Sequence, residues 1–594
     1  MDRPRQIYEF EGFNIDAERR LLTAGTGETV RLTPKAFDTL LYLVRHRDDF
    51  SSRELLLKTL WPKRVVEDNN LDQNISALRR ALGDRSDKQR YIVTVPGKGY
   101  RFVAEVTVRS AAARAAEDAR PAIRSMAVLP FKPLVPQMRD LALELGMADT
   151  LIARLSNLRE LIVRPLAAVQ GFSALDQDPV DAGRDLAVDA VLEGHLQRSG
   201  DTVRTTVRLV RIVDGSTLWA STLDTPFGDI FALQDMIAGH VVDAMTIRMD
   251  TEERTRLVKH GTDNPAAYAH YLKGRFYWWK IASGEFGKCR DHFEQAVAAD
   301  PDYALGYCGL NSYYGFGAAW GFLPADDAWP RAEAAIAKAL VLDDQLAEAH
   351  TGLAALKLVY YRDWVGAERA AQRALALNPG FDEIHYLYSF MLLAAGRFRE
   401  AIVEGERALA IDPFSPRMNE SLGNCLYFAG RYEDAIRQYQ HTLEFDPSNL
   451  TARESLGDAF HRAGMPAEAV AEWAAVMRGT GDDDLAAVLA AEWARNGVRE
   501  AVRAVARRRL ERMNAPAAGG RGAMAASLAR EHAKAGNVEK ALDCVERASE
   551  ERNVFALLIA GDPVFTEIRP EARFARCVAR VRRADAAPPA TVAG

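Results

Sequence analysis

The firmest constraint in this sequence is a period. Pro379, Pro413 and Pro447 stand 34 residues apart, each after Asn or Asp at the end of an apolar run (ALALNP, ALAIDP, TLEFDP). Gly396, Gly430 and Gly464 keep the same spacing in AGRFREA, AGRYEDA and AGMPAEA, and Ala401, Ala435 and Ala469 follow each glycine by five. A unit of this length cannot bury its apolar face alone, so it folds only by stacking on its neighbours. Small residues at Ser389, Gly423 and Gly457 let a first helix approach a second, which answers with the three alanines. The glycine supplies the positive φ of the turn between them. The Asn/Asp-Pro pair then ends the second helix.

A 34-residue, two-helix period resembles the tetratricopeptide repeat (TPR). Ala355, Ala367 and Ala374 fit a unit ending at Pro379, and Cys289, Ala296 and Pro301 an earlier one. Leu310, Asn311, Ala332 and Ala339 fit a lengthened unit between them; Gly497 and Gly536 mark two more downstream. About eight units are expected over 265–582, closed by an amphipathic stretch Phe565–Val581, with a disordered tail at 583–594.

The first hundred residues carry sharper chemistry. Short strands precede RLTPKAFDTLLYLVRH, a helix with Thr33 as N-cap and Pro34 at its first position. A second helix, SSRELLLKTLW, is capped by Ser51 or Ser52. A third runs from about Asp68 to Leu82, with a core stripe of Leu71, Ile75, Leu78 and Leu82. At about 100° per residue, Asn69, Gln73, Ser76, Ala77 and Arg80 fall on its opposite face, with Asp72 at the edge. Asn and Gln pair with adenine, Arg with guanine or phosphate, and Ala permits close approach to a groove. YIVTVPGKGYRFVAEV then reads as a basic hairpin.

LTPKAFDTLLYLVRH, SSRELLLKTLW, VVEDNNLDQNISALRRALGD and VPGKGYRF, in this order over about 100 residues, resemble the winged helix-turn-helix domain of the OmpR/PhoB type. The resemblance implies double-stranded promoter DNA as partner, the third helix in the major groove and Lys98 on a wing at the minor groove. It places Trp61, Asn69, Asn70 and Tyr100 at backbone-positioning contacts. Gln73, Asn74, Ser76, Ala77, Arg79 and Arg80 become candidate readers, and loop 62–67 the segment that meets RNA polymerase in some members. Two departures imply a different operator. Pro96 stands where members often carry Arg, and Asn74, Ser76 and Ala77 replace their His and Arg positions. The family's receiver domain, and with it a phosphoacceptor aspartate, is expected to be absent, leaving a phosphorelay-like reader without its usual switch.

Between these parts, 109–123 (RSAAARAAEDARPAI) reads as a linker, and 124–250 as strands and helices of an α/β domain. Strands are expected at Ser125–Phe131, Leu161–Arg164, Ala190–Gln197, Thr202–Val213 and Ser216–Leu223, with helices at Gly146–Leu158 and Ile230–Met249. Gly194, Gly200 and Gly215 are expected at turns. The pattern resembles the TolB-N-terminal-like domain, which implies no chemistry. His195 and Asp214 read as ordinary structural residues.

Charge divides the chain. Residues 1–108 hold 19 Lys/Arg against 16 Asp/Glu, a net of +3, whereas the whole chain is −6 and the remainder therefore −9. Only the first part is expected to meet a polyanion. The five cysteines have no metal spacing and suit a reducing cytoplasm. The uncharged stretch Tyr303–Ala325 carries five glycines and four tyrosines and falls in register with the repeat, so no membrane span is expected. Phosphate-loop, zincin and nucleophile-elbow signatures are missing, so no enzyme, cofactor or metal is expected.

The expected fold is multidomain and mostly α: winged helix-turn-helix (1–108), small α/β domain and α-solenoid. The implied function is that of a CadC/HilA-like transcriptional regulator without a membrane helix. Its array would receive a protein, peptide or small ligand, and it would form a homo-oligomer on DNA. The competing reading is a TPR scaffold whose winged domain makes protein contacts.

Overall fold

A computed structural model describes residues 6–24, 29–30, 32–47, 49–61, 69–84, 90–95, 98–110, 123–134, 139–199, 202–226, 230–245, 247, 249, 253–254, 257, 261–278, 285–513, 525–551 and 554–582. The loop Pro62–Glu67, the wing residues Pro96 and Gly97, residues 111–122, Gly200 and the tail 583–594 lie outside them. Contacts divide the chain into two units, Met1–Ala122 and Ile123–Gly594.

The first unit begins with strands β1 (Gln6–Phe10), β2 (Phe13–Asp16), β3 (Leu21–Ala24) and β4 (Thr29–Val30), followed by helix α1 (Pro34–Arg45). Then come β5 (Ser51–Ser52), α2 (Arg53–Leu60), α3 (Asn69–Leu82), β6 (Ile92–Val95), β7 (Gly99–Phe102) and β8 (Thr107–Ser110). The sheets are ordered β4-β3-β2-β1-β8 and β5-β7-β6. The caps follow the expected chemistry. Thr33 Oγ1 accepts from the Ala36 N–H at 3.2 Å, and Ser52, not Ser51, caps α2 through the Leu55 N–H at 3.2 Å. Strand β8 was not anticipated. It pairs antiparallel with β1, so Arg109 and Ser110, read as the start of a linker, are strand residues. Phe37, Leu40, Leu71, Ile75, Leu78 and Phe102 close a separate core beneath the sheets.

The second unit opens with β9 (Ser125–Val128), β10 (Lys132–Pro133), α4 (Leu141–Leu155), β11 (Ile162–Val163), α5 (Leu166–Val169) and α6 (Pro179–Asp185). It continues through β12 (Ala190–Ser199), β13 (Thr202–Arg211), β14 (Thr217–Pro226) and α7 (Ile230–Met245). The sheet runs β11-β9-β12-β13-β14, parallel on one side and antiparallel on the other, with β10 also on β12. Two expectations need correction. Helix α4 starts five residues before Gly146 because Leu145 and Met147 belong to the buried face. Gly194 is not a turn residue: it lies mid-strand in β12, where a Cβ would come within 2.2 Å of the Phe131 ring. Burial lowers the His195 imidazole pKa, and Asp214 accepts from the Ser216 N–H and hydroxyl, both plain structural roles.

From Pro265 the chain is helical. Paired helices include α8 (Pro265–Trp278) with α9 (Phe286–Ala299), α10 (Ala304–Ala319) with α11 (Ala325–Leu342), and α12 (Ala347–Val359) with α13 (Trp364–Leu377). They continue as α14 (Asp382–Ala394) with α15 (Phe398–Ile411), α16 (Pro416–Phe428) with α17 (Tyr432–Phe445), and α18 (Leu450–Arg462) with α19 (Pro466–Gly479). Asp483–Met513 breaks at Gly497 (φ 80°) into another pair, and Ala525–Lys534 packs with Val538–Glu550 before a closing helix Ala572–Arg582. Ala401, Ala435 and Ala469 are fully buried, and a Cβ on Gly423 would meet the Tyr439 ring at 2.5 Å. Close helix approach therefore depends on the small residues the period supplies. The turn glycines Gly396, Gly430 and Gly464 have φ of 79°, 77° and 78°. Residues 304–319 of the uncharged stretch form a packed array helix, and no described helix is long and apolar enough to cross a membrane.

Arg164, in the α/β domain, is buried and donates to four carbonyls. Two are local (Leu186 at 3.0 Å, Ala187 at 2.9 Å), and two close the C-terminus of α15 (Ala410 at 2.8 Å, Ile411 at 2.7 Å). Helix C-termini leave carbonyls unpaired and carry partial negative charge, so a guanidinium is well matched there.

Candidate nucleic-acid interface

Helix α3 is held by its apolar stripe: Leu71, Ile75, Leu78 and Leu82 are buried. Asn70, Gln73, Ser76 and Arg80 are exposed, with Asn74 and Ala77 half-buried beside them. Asn69 begins the helix. A polar, cation-bearing ridge thus stands on the side away from the core.

Asp72, the acid at the edge of this ridge, does not leave an open negative charge. Its carboxylate is paired with Arg53 of α2 at 2.7 Å and accepts from the Tyr100 hydroxyl of β7, while Arg53 donates to the same hydroxyl at 3.1 Å. The hydrogen bond from Arg53, then that from Tyr100, hold the Asp72 carboxyl below the usual carboxylate range. The bridge ties α3 to α2 and to the hairpin.

Asp84, one residue past Gly83, makes a second tie. It is buried, and its carboxylate accepts from the backbone N–H groups of Arg90 (2.6 Å), Tyr91 (3.2 Å) and Ile92 (3.0 Å). The end of α3 is thereby fastened to the start of β6. Asp84 and Arg53 escaped the sequence reading. An Asp directly after a helix-terminating glycine was the available signal for the first, but nothing local distinguished Arg53 from a solvated helix residue.

Two candidates are turned inward. Arg79 donates to the Ile92 carbonyl at 2.8 Å and the Thr94 hydroxyl at 2.7 Å, so its guanidinium braces the hairpin. Tyr100 is 4% exposed and engaged with Asp72 and Arg53. Trp61 is half-buried, with the Lys35 ammonium 5.4 Å from its ring centroid. At the hairpin, Lys98 is exposed while its carbonyl accepts from the Arg53 N–H at 3.2 Å. Gly99 (φ 151°) leaves no room for a side chain, since a Cβ would sit 2.2 Å from the Ser51 carbonyl oxygen. The structure therefore brings together Asn70, Gln73, Ser76 and Arg80 on one ridge. Among the described residues no group of three or more His, Cys, Asp or Glu could hold a metal, and the five cysteines are buried and unpaired.

Residues 27–102 match the family "Transcriptional regulatory protein, C terminal", and residues 122–239 match "HilA/YgeH-like transcriptional regulator, second domain". Residues 358–425 and 423–464 match tetratricopeptide-repeat families. The chain is a transcriptional regulator with an OmpR/PhoB-type winged DNA-binding domain, a HilA-like second domain and a TPR array. Among relatives, it is 25% identical over 400 residues to transcriptional regulator HilA of Salmonella typhimurium, covering 66% of this chain and 68% of that one. It is 35% identical over 98 residues to the phosphate regulon transcriptional regulatory protein PhoB of Escherichia coli (16% of this chain, 42% of that one). It is 33% identical over 81 residues to the transcriptional activator CadC of Escherichia coli (14% and 16%).

Proposed function

We propose that the chain binds specific promoter sequences through the outward ridge of α3 and signals through its array. The observation that carries this reading is the division of labour on α3. Its one acid is paired with Arg53 and hydrogen-bonded by Tyr100, and Arg79 is engaged by the hairpin. Gln73, Ser76, Asn70 and Arg80 are left exposed on a single side. Arg80 and Gln73 supply base-edge chemistry; Lys98 and the chain around Trp61 supply phosphate and minor-groove contacts. Loop 62–67 is the segment for RNA polymerase. One winged domain spans few base pairs, so two copies act together on an operator. The array and the α/β domain, with their acidic balance, take no part in DNA contact and receive a ligand instead.

Footprinting of the full chain on genomic fragments, at several salt concentrations, tests the reading. Binding should be sequence-preferring and should weaken with salt. Intact footprints from both Gln73→Ala and Arg80→Ala would remove the ridge from the readout. Sedimentation of the full chain with operator DNA should show two chains per site, and a strict 1:1 complex would overturn the paired arrangement.

A further inference from the structure

A cavity of ≈ 180 Å³ lies inside the second unit, where α4 faces the first turns of the array. That is room for a small molecule rather than a single water. Its lining includes five carboxylates (Asp149, Asp343, Glu348, Asp382, Glu383) against two guanidiniums (Arg154, Arg275). Both guanidiniums are already matched: Arg275 with Asp149 at 3.3 Å, and Arg154 with Asp235. Glu383 is matched by Arg417 at 2.9 Å.

Asp343 accepts from the Gln345 N–H at 3.0 Å. Among the described residues Asp382 and Glu348 make no salt bridge of their own and feel only the nearby positive charges of Arg275 and, for Asp382, Arg417. Asp382 is 8% exposed and lines the cavity, and its side chain makes no hydrogen bond or ion pair among the described residues. Glu348 is half-buried and, among the described residues, has only its own backbone N–H as a hydrogen-bond partner. Each sits in the first turn of its helix, α14 or α12, where the helix dipole offsets part of the cost of burying the charge. The offset is partial. Burial, and then the neighbouring Glu383, raise the Asp382 carboxyl, and burial raises that of Glu348. A carboxylate withdrawn from water without a salt bridge of its own is destabilised, and a bound cation would relieve that cost. Among aliphatic and polar wall residues the lining also holds aromatic rings: Tyr271 and Tyr303, 5.4 Å apart edge to face, and Phe381, next to Asp382 in the chain. Aromatic faces attract cations, and a guanidinium is the cation that stacks flat, pairs with carboxylates through two N–H groups and is weakly hydrated.

We propose that this cavity binds a small organic cation, with a planar guanidinium as the group that meets Asp382 and Glu348. The proposal deepens the sensing role assigned above and rests on it only for its consequence, not for binding itself. The guanidinium belongs either to a free small molecule or to an arginine side chain of a peptide.

Calorimetry on the full chain without DNA, using n-butylguanidinium and the neutral isostere n-butylurea, tests the site. The guanidinium should bind saturably with one site per chain, and the urea should not. Asp382→Asn and Glu348→Gln should each weaken binding at least tenfold with unchanged circular dichroism. The two variants are independent, so loss of fold in one leaves the other decisive. Equal binding of the urea, no saturable binding of the guanidinium, or full affinity in a folded Asp382→Asn chain would overturn the site. Competition by acetyl-arginine-amide and by an arginine-centred pentapeptide separates the sources. A stronger pentapeptide assigns the cation to a peptide, and a stronger small molecule assigns it to a free ligand. DNA affinity measured with and without n-butylguanidinium tests the sensing role separately: a site that binds the cation but leaves DNA affinity unchanged refutes sensing alone.

Discussion

Arg164→Met should loosen the α/β domain from the array. The substitution keeps an unbranched apolar stem of similar length and removes four hydrogen bonds from a buried guanidinium. Two of these cross to α15, and a hydrogen bond to a charged group contributes about 1.5–3 kcal/mol. The gross loss between the domains is therefore about 3–6 kcal/mol. Relief from desolvating the guanidinium returns part of it, leaving an expected destabilisation of about 2–4 kcal/mol. Asp412, buried at the end of α15, also loses the Arg164 charge that offsets its burial, so its carboxyl pKa should rise further. Urea denaturation of the full chain, followed by circular dichroism, is the assay. The variant should show an early transition of reduced amplitude, while DNA binding through the separate core of the first unit persists at temperatures where both are folded. Arg164→Lys, restoring charge but not four donors in one plane, should fall between. A midpoint shift worth less than about 0.5 kcal/mol would refute the argument, because it lies within the range of an ordinary surface change.

Gly423→Val should destabilise the array by about 2 kcal/mol or more, read as a lowered urea midpoint, because its branch meets the Tyr439 ring. Gly430→Ala, with open space around it but φ of 77°, should cost only about 1 kcal/mol. Arg80→Ala should lower operator affinity by about 1–3 kcal/mol and relax preference at one base, whereas Lys98→Ala should weaken all sequences alike and reduce the salt slope by about one. For Asp72, the folded pKa lies below the unfolded value, so its stabilising contribution is present above about pH 4 and disappears as pH falls through the folded pKa. Acid titration of the full chain should therefore show a loss of winged-domain structure that is displaced in Asp72→Asn; coincident titrations would contradict the bridge.

The repeat was legible because a stacked array repeats its steric needs. Ala435, Gly430 and Gly423 must each be small or left-handed at a fixed offset, and the sequence records it. The core stripe and outer face of α3 were legible for the same reason, since a single helical period separates them. What was not legible depends on contacts between distant segments. β8 is four residues without distinctive composition, and it is a strand because β1 offers it a partner. Arg79 and Arg80 are neighbours of one type, and only the position of Ile92 and Thr94 decides that the first turns inward. Gly194 resembled a turn residue until Phe131 was seen against it. Glu348 and Asp382, the two cavity acids without a salt bridge of their own, stand 34 residues apart and are one column of the repeat.

The ties at Asp72 and Asp84 carry a consequence for how such a regulator changes its targets. The residues that fix α3 in place (Leu71, Asp72, Ile75, Leu78, Arg79 and Leu82) are distinct from those left outward (Asn70, Gln73, Ser76 and Arg80). Substitutions among the outward four touch neither core nor bridge. The operator preference is thus a nearly free parameter of the domain, open to drift in evolution or to exchange in the laboratory at little cost in folding.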